Sequence, residues 1–235
     1  MAPLHAQDLV STCHASSSYD VTVTPGSLLF DRASPAPQRV ELQHGVLDTD
    51  GVAVALNAED RDRLALFERD LRALLPRVRT VATNGVNMAV QAIRAEAVGM
   101  QLSTQTRRQL DDRLNADAEQ LKQRIASSRS THDWHGEIAD RYARRMAGDL
   151  VPLVAADLGQ QAVNAALSGD LQTAASLRDR AAELATRLQP RLQRRMQALR
   201  PQIEALCPSI DRLAALQRGV RGSNGKLLNL LQIAP

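Results

Sequence analysis

The chain of 235 residues carries 29 Lys and Arg against 26 Asp and Glu, a net charge of +3. That is too small and too dispersed for nucleic-acid binding, which calls for a basic stripe with interleaved aromatics. Aromatic residues make up 2%, so a core has to come from Leu, Ala, Val and Ile, which favours close helix packing over a sandwich anchored by large rings. Nothing reads as a transmembrane span, and the length suits one compact unit with a small appendage.

Residues 1–7 read Met-Ala-Pro-Leu-His-Ala-Gln, and Leu4-His5-Ala6 resembles the small-residue tail of a secretory signal. No charged segment or apolar run precedes it, so the stretch reads as a signal-peptide remnant behind an internal start, with cleavage expected after Ala6. The alternative is an ordinary disordered terminus. Shortly afterwards comes Cys13, and the second cysteine is Cys207. A bond between them would close a loop worth nominally about 5 kcal/mol of denatured-state entropy, and it would persist only in an oxidising compartment. The rival reading is two unrelated buried thiols in a cytosolic protein.

Residues 8–56 read as an antiparallel meander of four or five short strands. Tyr19 to Thr24 alternates with period 2, placing Tyr19, Val21 and Val23 on one face. Pro25-Gly26-Ser27 turns the chain into Leu28 to Asp31. After Pro35 and Pro37, Val40 to Leu42 turns through His44-Gly45 into Val46-Leu47, and Asp50-Gly51 turns again into Val52 to Leu56. So small a sheet must pack on the helices.

Residues 57–218 read as a helical bundle. Asn57 is a good N-cap for a helix whose stripe of Leu64, Phe67, Leu71, Leu74 and Leu75 runs to Pro76. A second helix is expected from Arg77 to Val98, weakened at Asn84-Gly85, and a third from Ser103 or Thr104 to Ser127. Ser130 to Asp133 matches a capping box opening the next helix, which Pro152 kinks or ends. A stretch from Leu153 stops at Ser168-Gly169, where Asp170 caps an antiparallel neighbour. The final helix carries a heptad-like seam of Ala181, Ala185, Leu188, Leu192, Met196, Leu199, Ile203, Leu206, Ile210 and Leu213. Pro190, Pro201 and Pro208 fall on nearly one azimuth, so they are expected to kink it around the core. Three short helices broken at the prolines are the alternative. Residues 219–235 form a flexible linker and a short apolar tail. That tail either adds an edge strand to the meander or offers Leu227, Leu228, Leu230, Leu231 and Ile233 to a partner.

Chemistry is sparse. The Gly219 to Lys226 stretch is like a phosphate-binding loop, but Leu227 follows the lysine where Ser or Thr would ligate magnesium, so it reads as a linker. His132-Asp133-Trp134-His135-Gly136-Glu137 is the densest group of ligand-type side chains. His132 and His135, three apart, could share a divalent metal with Asp133 or Glu137. Capping explains Asp133 and surface hydrogen bonding explains the histidines, so no metal, cofactor or catalytic residue is assigned. Cys13-His14 could be an activated thiolate pair, though a partner at Cys207 makes it structural. Arg144-Arg145 and Arg194-Arg195 could touch phosphate or anionic lipid.

An early cysteine, Tyr19 to Pro25, Asp50-Gly51 before an apolar strand, Leu74-Leu75-Pro76-Arg77-Val78 and a late Cys207 together resemble the YggN-like family of uncharacterised proteobacterial envelope proteins, a domain of unknown function. The resemblance spans about Cys13 to Leu216. It implies secretion to the periplasm and supplies no catalytic residues. The expectation is thus a mainly α, α+β protein: a small N-terminal meander on long antiparallel helices, stapled by one disulfide and acting by contacts with a protein or envelope partner. Homo-oligomers are left open by the seam. The alternatives are a metal-dependent or hydrolytic envelope enzyme using His132, His135 and Glu137, and a helical holdase chaperone.

Overall fold

The computed structural model describes residues 12–134 and 137–234. It is α+β and mainly α, with every strand but a last two-residue one, Gln232–Ile233, in the N-terminal part of the chain. β1 (Ala15–Ser16) stands apart from the meander β2 (Asp20–Val23), β3 (Leu28–Asp31), β4 (Arg39–Gln43), β5 (Val46–Thr49) and β6 (Val52–Ala53), which pair antiparallel in chain order. Both two-residue hairpins owe their geometry to residues that tolerate positive φ. His44 and Gly45 sit at φ 50 and 79, Asp50 and Gly51 at 52 and 80. This is the type I′ pattern that matches the twist of the strands it joins. Asp50 also receives the Gln38 and Arg39 amides on Oδ1, each at 2.8 Å.

Helix α1 (Ala58–Gly99) begins at Asn57, whose Oδ1 accepts the Asp60 amide at 2.7 Å. It does not end at Pro76: one helix of 42 residues runs through that proline. A mid-helix proline costs about 3 kcal/mol, but Leu71 and Leu74 before it and Val78 and Val81 after it all pack in or against one core. Burial on both sides outweighs the lost bond. α2 (Thr104–Ser127) is capped by Ser103, whose Oγ accepts the Thr106 amide at 3.2 Å. A 3-10 turn (Thr131–Trp134) precedes α3 (Glu137–Leu167), which runs through Pro152. α3 ends in a Schellman motif, Asp170 N bonding Ala165 O and Gly169 N bonding Ala166 O. Asp170 then caps α4 (Leu171–Met196) through the Thr173 amide.

The prolines of the last stretch act differently from one another. Position 190 lies inside α4, whereas Pro201 and Pro208 stand second in two new helices, α5 (Arg200–Glu204) and α6 (Cys207–Leu216), with a 3-10 turn (Gln197–Leu199) between α4 and α5. The single kinked helix is therefore broken. In the first turn of a helix a proline forfeits no bond, because the amide there has no intrahelical partner.

The chain divides into two compact units, residues 1–81, 127–139 and 200–235 in one, and 82–126 and 140–199 in the other. The helical stretch and its seam thus serve two cores. In the first unit Leu28, Phe30, Val40, Leu42 and Leu47 of the sheet meet Leu64, Phe67 and Leu74 of α1 and Leu206, Ile210 and Leu213. Scarce as aromatics are, three of the five converge here: Tyr19 meets Phe30 edge-on at 6.4 Å and Phe30 meets Phe67 at 6.1 Å between centroids. In the second, Val90 and Ala97 of α1, Leu110 and Leu114 of α2, Leu150, Val154 and Leu158 of α3, and Leu177 of α4 form the core, with Ala181 of the seam against it.

The first unit is also where α1 spends its arginines. Arg63 donates to the Leu216 and Arg218 carbonyls, Arg72 to Thr24, Arg77 to Ala205, and Arg79 to Ser128. A guanidinium can serve several acceptors from one side chain. These arginines therefore tie α1 to the end of α6 and to the backbone at Thr24, Ala205 and Ser128.

Candidate functional site

The staple is formed. Cys13 and Cys207, 194 positions apart in sequence, are bonded at 2.01 Å with their Cα atoms 5.2 Å apart. Cys13 is therefore no thiolate partner for His14. Immediately after Cys13, β1 pairs antiparallel with β7 (Gln232–Ile233), and the Ala234 amide donates to the His14 carbonyl at 2.8 Å. Both ends of the described chain thus meet at the disulfide. The signal-peptide remnant assigned to residues 1–7 lies outside the described residues.

The apolar tail is largely spoken for. It joins β1 rather than the meander. Leu228 and Leu230 are buried in the first core, with Leu231 against it, so the first two cannot be partner contacts. Leu227 and Ile233 remain exposed. Gln217 fastens this segment by donating to the Leu231 carbonyl and accepting the Leu231 amide.

The loop before it is no phosphate cradle. Gly222 N bonds Lys226 O, Gly225 N bonds Gly222 O, Ser223 N bonds Thr49 Oγ1, and Lys226 N bonds Asn224 Oδ1. Those amides are already consumed within the fold, whereas an anion site needs them free and convergent.

The histidine cluster sits on the segment between α2 and α3, which runs along β2. His132 Nδ1 lies 3.4 Å from Asp20 Oδ2, and Thr131 Oγ1 donates to Asp20 Oδ1 at 3.1 Å. Asp133 turns away from the histidine to accept from Ser128 Oγ and the Ser130 amide, which is half of the expected capping box; Ser130 Oγ takes the His132 amide instead of that of Asp133, and what opens there is the 3-10 turn. His135 and the Glu137 side chain lie outside the described residues, as do those of Arg144, Arg145 and Arg195. Among the described residues no three ligating side chains gather to hold a metal.

Two carboxyls of the second unit are held below the usual range, the α4 cap Asp170 through its bonds to Thr173, and Asp157. Asp157 accepts the Ser103 amide at 2.9 Å, Thr106 Oγ1 at 2.9 Å and Gln161 Nε2 at 2.8 Å. Burial pushes its pKa up, but these donors outweigh burial and hold it below the usual carboxylate range. Its place over the start of α2 makes it a cap supplied from another helix. Tyr19 is perturbed the other way. Burial raises its phenol, opposed by the Arg32 guanidinium stacked 4.1 Å above the ring. The hydroxyl is spent on the Pro37 carbonyl. Asp157 and Tyr19 serve the fold rather than face a substrate.

The feature that sequence reasoning missed is the end of the α3–α4 hairpin. Every residue from Val163 to Thr173 except Ala165 is exposed. Val163, Leu167 and Leu171 are 54%, 84% and 71% accessible, spaced four apart across the turn. A fully buried side chain of this kind is worth about 1.5–3 kcal/mol, which this tip leaves in water. The Ser168-Gly169 turn between these residues was visible in the sequence, but sequence does not say whether the apolar side chains beside it face a core or water.

A disulfide closing the chain on itself, a five-stranded meander and long helices define a helix-rich α+β protein. No described cluster of its residues marks a reaction. A family described as "Protein of unknown function (DUF2884)" matches residues 13–230, from the first cysteine to the buried Leu230, and the chain belongs to that family. No curated protein and no solved structure matches it.

Proposed function

We propose that the protein is a non-enzymatic module of the proteobacterial periplasm, akin to the YggN-like proteins it resembles, and that it works by binding a protein or envelope partner through the α3–α4 tip. The observation that carries this reading is the exposure of Val163 and Leu167 in the last turns of α3 and of Leu171 at the start of α4. Exposed large apolar side chains gathered in one place mark contact sites. The bonded Cys13–Cys207 pair supports an oxidising compartment. No helix among the described residues is long and apolar enough to cross a membrane.

A photo-crosslinking side chain placed at position 167 or 171 in cells of the native host tests the reading. One discrete adduct from these positions, absent when the same group stands at the exposed Arg108 of α2, supports a dedicated partner. A smear of unrelated products would move the reading to a holdase chaperone, and no adduct from either position would contradict both.

A further inference from the structure

β2 is the first strand of its sheet, and its outward amides would be an open edge. They are taken instead by the segment between α2 and α3. Val23 N donates to the Arg129 carbonyl at 2.8 Å, and Val21 N donates to Thr131 Oγ1 at 2.8 Å. Thr22 and Ser130 form an isolated antiparallel bridge, with Thr22 Oγ1 donating to Ser130 Oγ at 3.0 Å. As a strand this cover is incomplete. A side-chain hydroxyl stands in for one of the two carbonyls, and the chain turns into its 3-10 turn at Thr131. Arg129, Thr131 and His132 are exposed. On its other side β2 matches β3 over four residues.

The segment is also closed on itself. Trp134 Nε1 donates to Ser128 Oγ at 2.7 Å, and Asp133 holds Ser128 and Ser130. None of those bonds involves β2, and Arg79 of α1 holds the segment at the Ser128 carbonyl rather than at the strand, so residues 129–132 can leave the edge while Ser128 stays anchored. Charge marks the same edge. Asp20 stands directly opposite Asp31, an arrangement that costs stability in a sheet. Asp31 has Arg39 opposite it on β4, while the strap brings Thr131 and the His132 imidazole to Asp20.

We propose that the β2 edge is a strand-addition site held by the chain's own Arg129–His132 segment, and that an extended partner segment carrying Arg or Lys opposite Asp20 displaces it. A true strand offers backbone carbonyls to both Val21 and Val23, and its cation adds attraction to an edge where two aspartates stand opposite each other. This site is separate from the helical tip and does not rest on it.

Residue-resolved amide exchange of the oxidised full chain tests the first half. Val21 and Val23 face the strap, while the Thr22 amide between them faces β3 by antiparallel alternation and serves as an internal control. Opening of the strap alone makes Val21 and Val23 exchange about tenfold or more faster than Thr22. Equal protection of all three would make the strap a fixed part of the sheet and overturn the proposal. The second half uses the Thr131→Val chain, which loses the hydroxyl acceptor. The probe is the peptide Ser-Arg-Ser-Thr-Arg-Asp-Trp, the strap's own sequence with arginine at the His132 place. It should restore protection at Val21 and Val23 where a scrambled peptide does not. If the two peptides act alike, the edge takes no strand in trans and the proposal fails.

Discussion

Thr49 and Ser223 hold each other by two hydrogen bonds across 174 positions of sequence. The Thr49 hydroxyl donates to Ser223 Oγ at 2.8 Å and accepts the Ser223 amide at 2.9 Å. Thr49 is fully buried at the end of β5, so this hydroxyl is what fixes the returning C-terminal loop to the sheet. Thr49→Val keeps the shape and strips both bonds, leaving the Ser223 amide without its acceptor. A loss of about 1–3 kcal/mol is expected, with Ser223→Ala costing less because the amide bond survives. Urea unfolding followed by Trp134, the sole tryptophan and a member of the first unit, measures both.

Gly45 and Gly51 share a left-handed φ but not their surroundings. A Cβ on Gly45 would stand 2.5 Å from the Arg61 carbonyl oxygen of α1, whereas one on Gly51 would meet nothing within 4 Å. Gly51→Ala should therefore cost about 1–2 kcal/mol, the left-handed penalty alone. Gly45→Ala should add about 1–3 kcal/mol of overpacking, because helix backbone cannot step aside. Equal costs in urea unfolding would mean that the β4–β5 turn is not seated on α1 as described.

Glu68 fastens the same turn. Its Oε2 accepts the His44 amide at 2.7 Å, and its Oε1 is paired with Arg72 at 2.8 Å while Arg72 reaches the Thr24 carbonyl. The carboxylate is buried, and removing one partner of a buried pair strands the other charge. Glu68→Ala is expected to cost about 3 kcal/mol. Because Arg72 is partly exposed, Glu68→Gln, which can still accept the His44 amide, should recover part of that loss in the same unfolding assay.

Asp157 gives the second unit a dependence on pH. Its folded-state pKa is lowered, so the ionised form is the one its donors stabilise. That contribution is fully present above the unfolded aspartate value of about 3.9 and fades as pH falls through the folded value. Asp157→Asn should be less stable than the parent at pH 7, and the gap should close on acidification below about pH 4. Helical circular dichroism during urea unfolding at several pH values reads this. A gap that widens toward acid would reverse the assignment.

Much of the fold could be read from short-range chemistry. His44-Gly45 and Asp50-Gly51 specify their turns by their own φ preferences, and Asn57 in the first unit and Ser103 and Asp170 in the second announce helix starts by side chains that reach only three residues. What sequence did not disclose depends on distant partners. Pro76 reads as a stop until Leu71, Leu74, Val78 and Val81 are seen against one core. Pro201 and Pro208 restart helices while position 190 does not, though all three fall on nearly one azimuth. The seam from Ala181 to Leu213 looks continuous, but Ala181 packs in one core and Leu206, Ile210 and Leu213 in the other. The strap on β2 and the β1–β7 pair involve too few residues to leave a periodic signal. At the candidate site the cysteine pair was legible, whereas the exposed tip was not, since spacing does not say which side faces water.

The intact mass of the protein taken from the periplasmic fraction of its native host tests most directly the proposal that this is an envelope protein closed by Cys13 and Cys207. Alkylation without reduction should add nothing, and alkylation after reduction should add two groups. Two groups added without reduction, on a chain recovered from the cytosol instead, would contradict the staple and the periplasmic reading together.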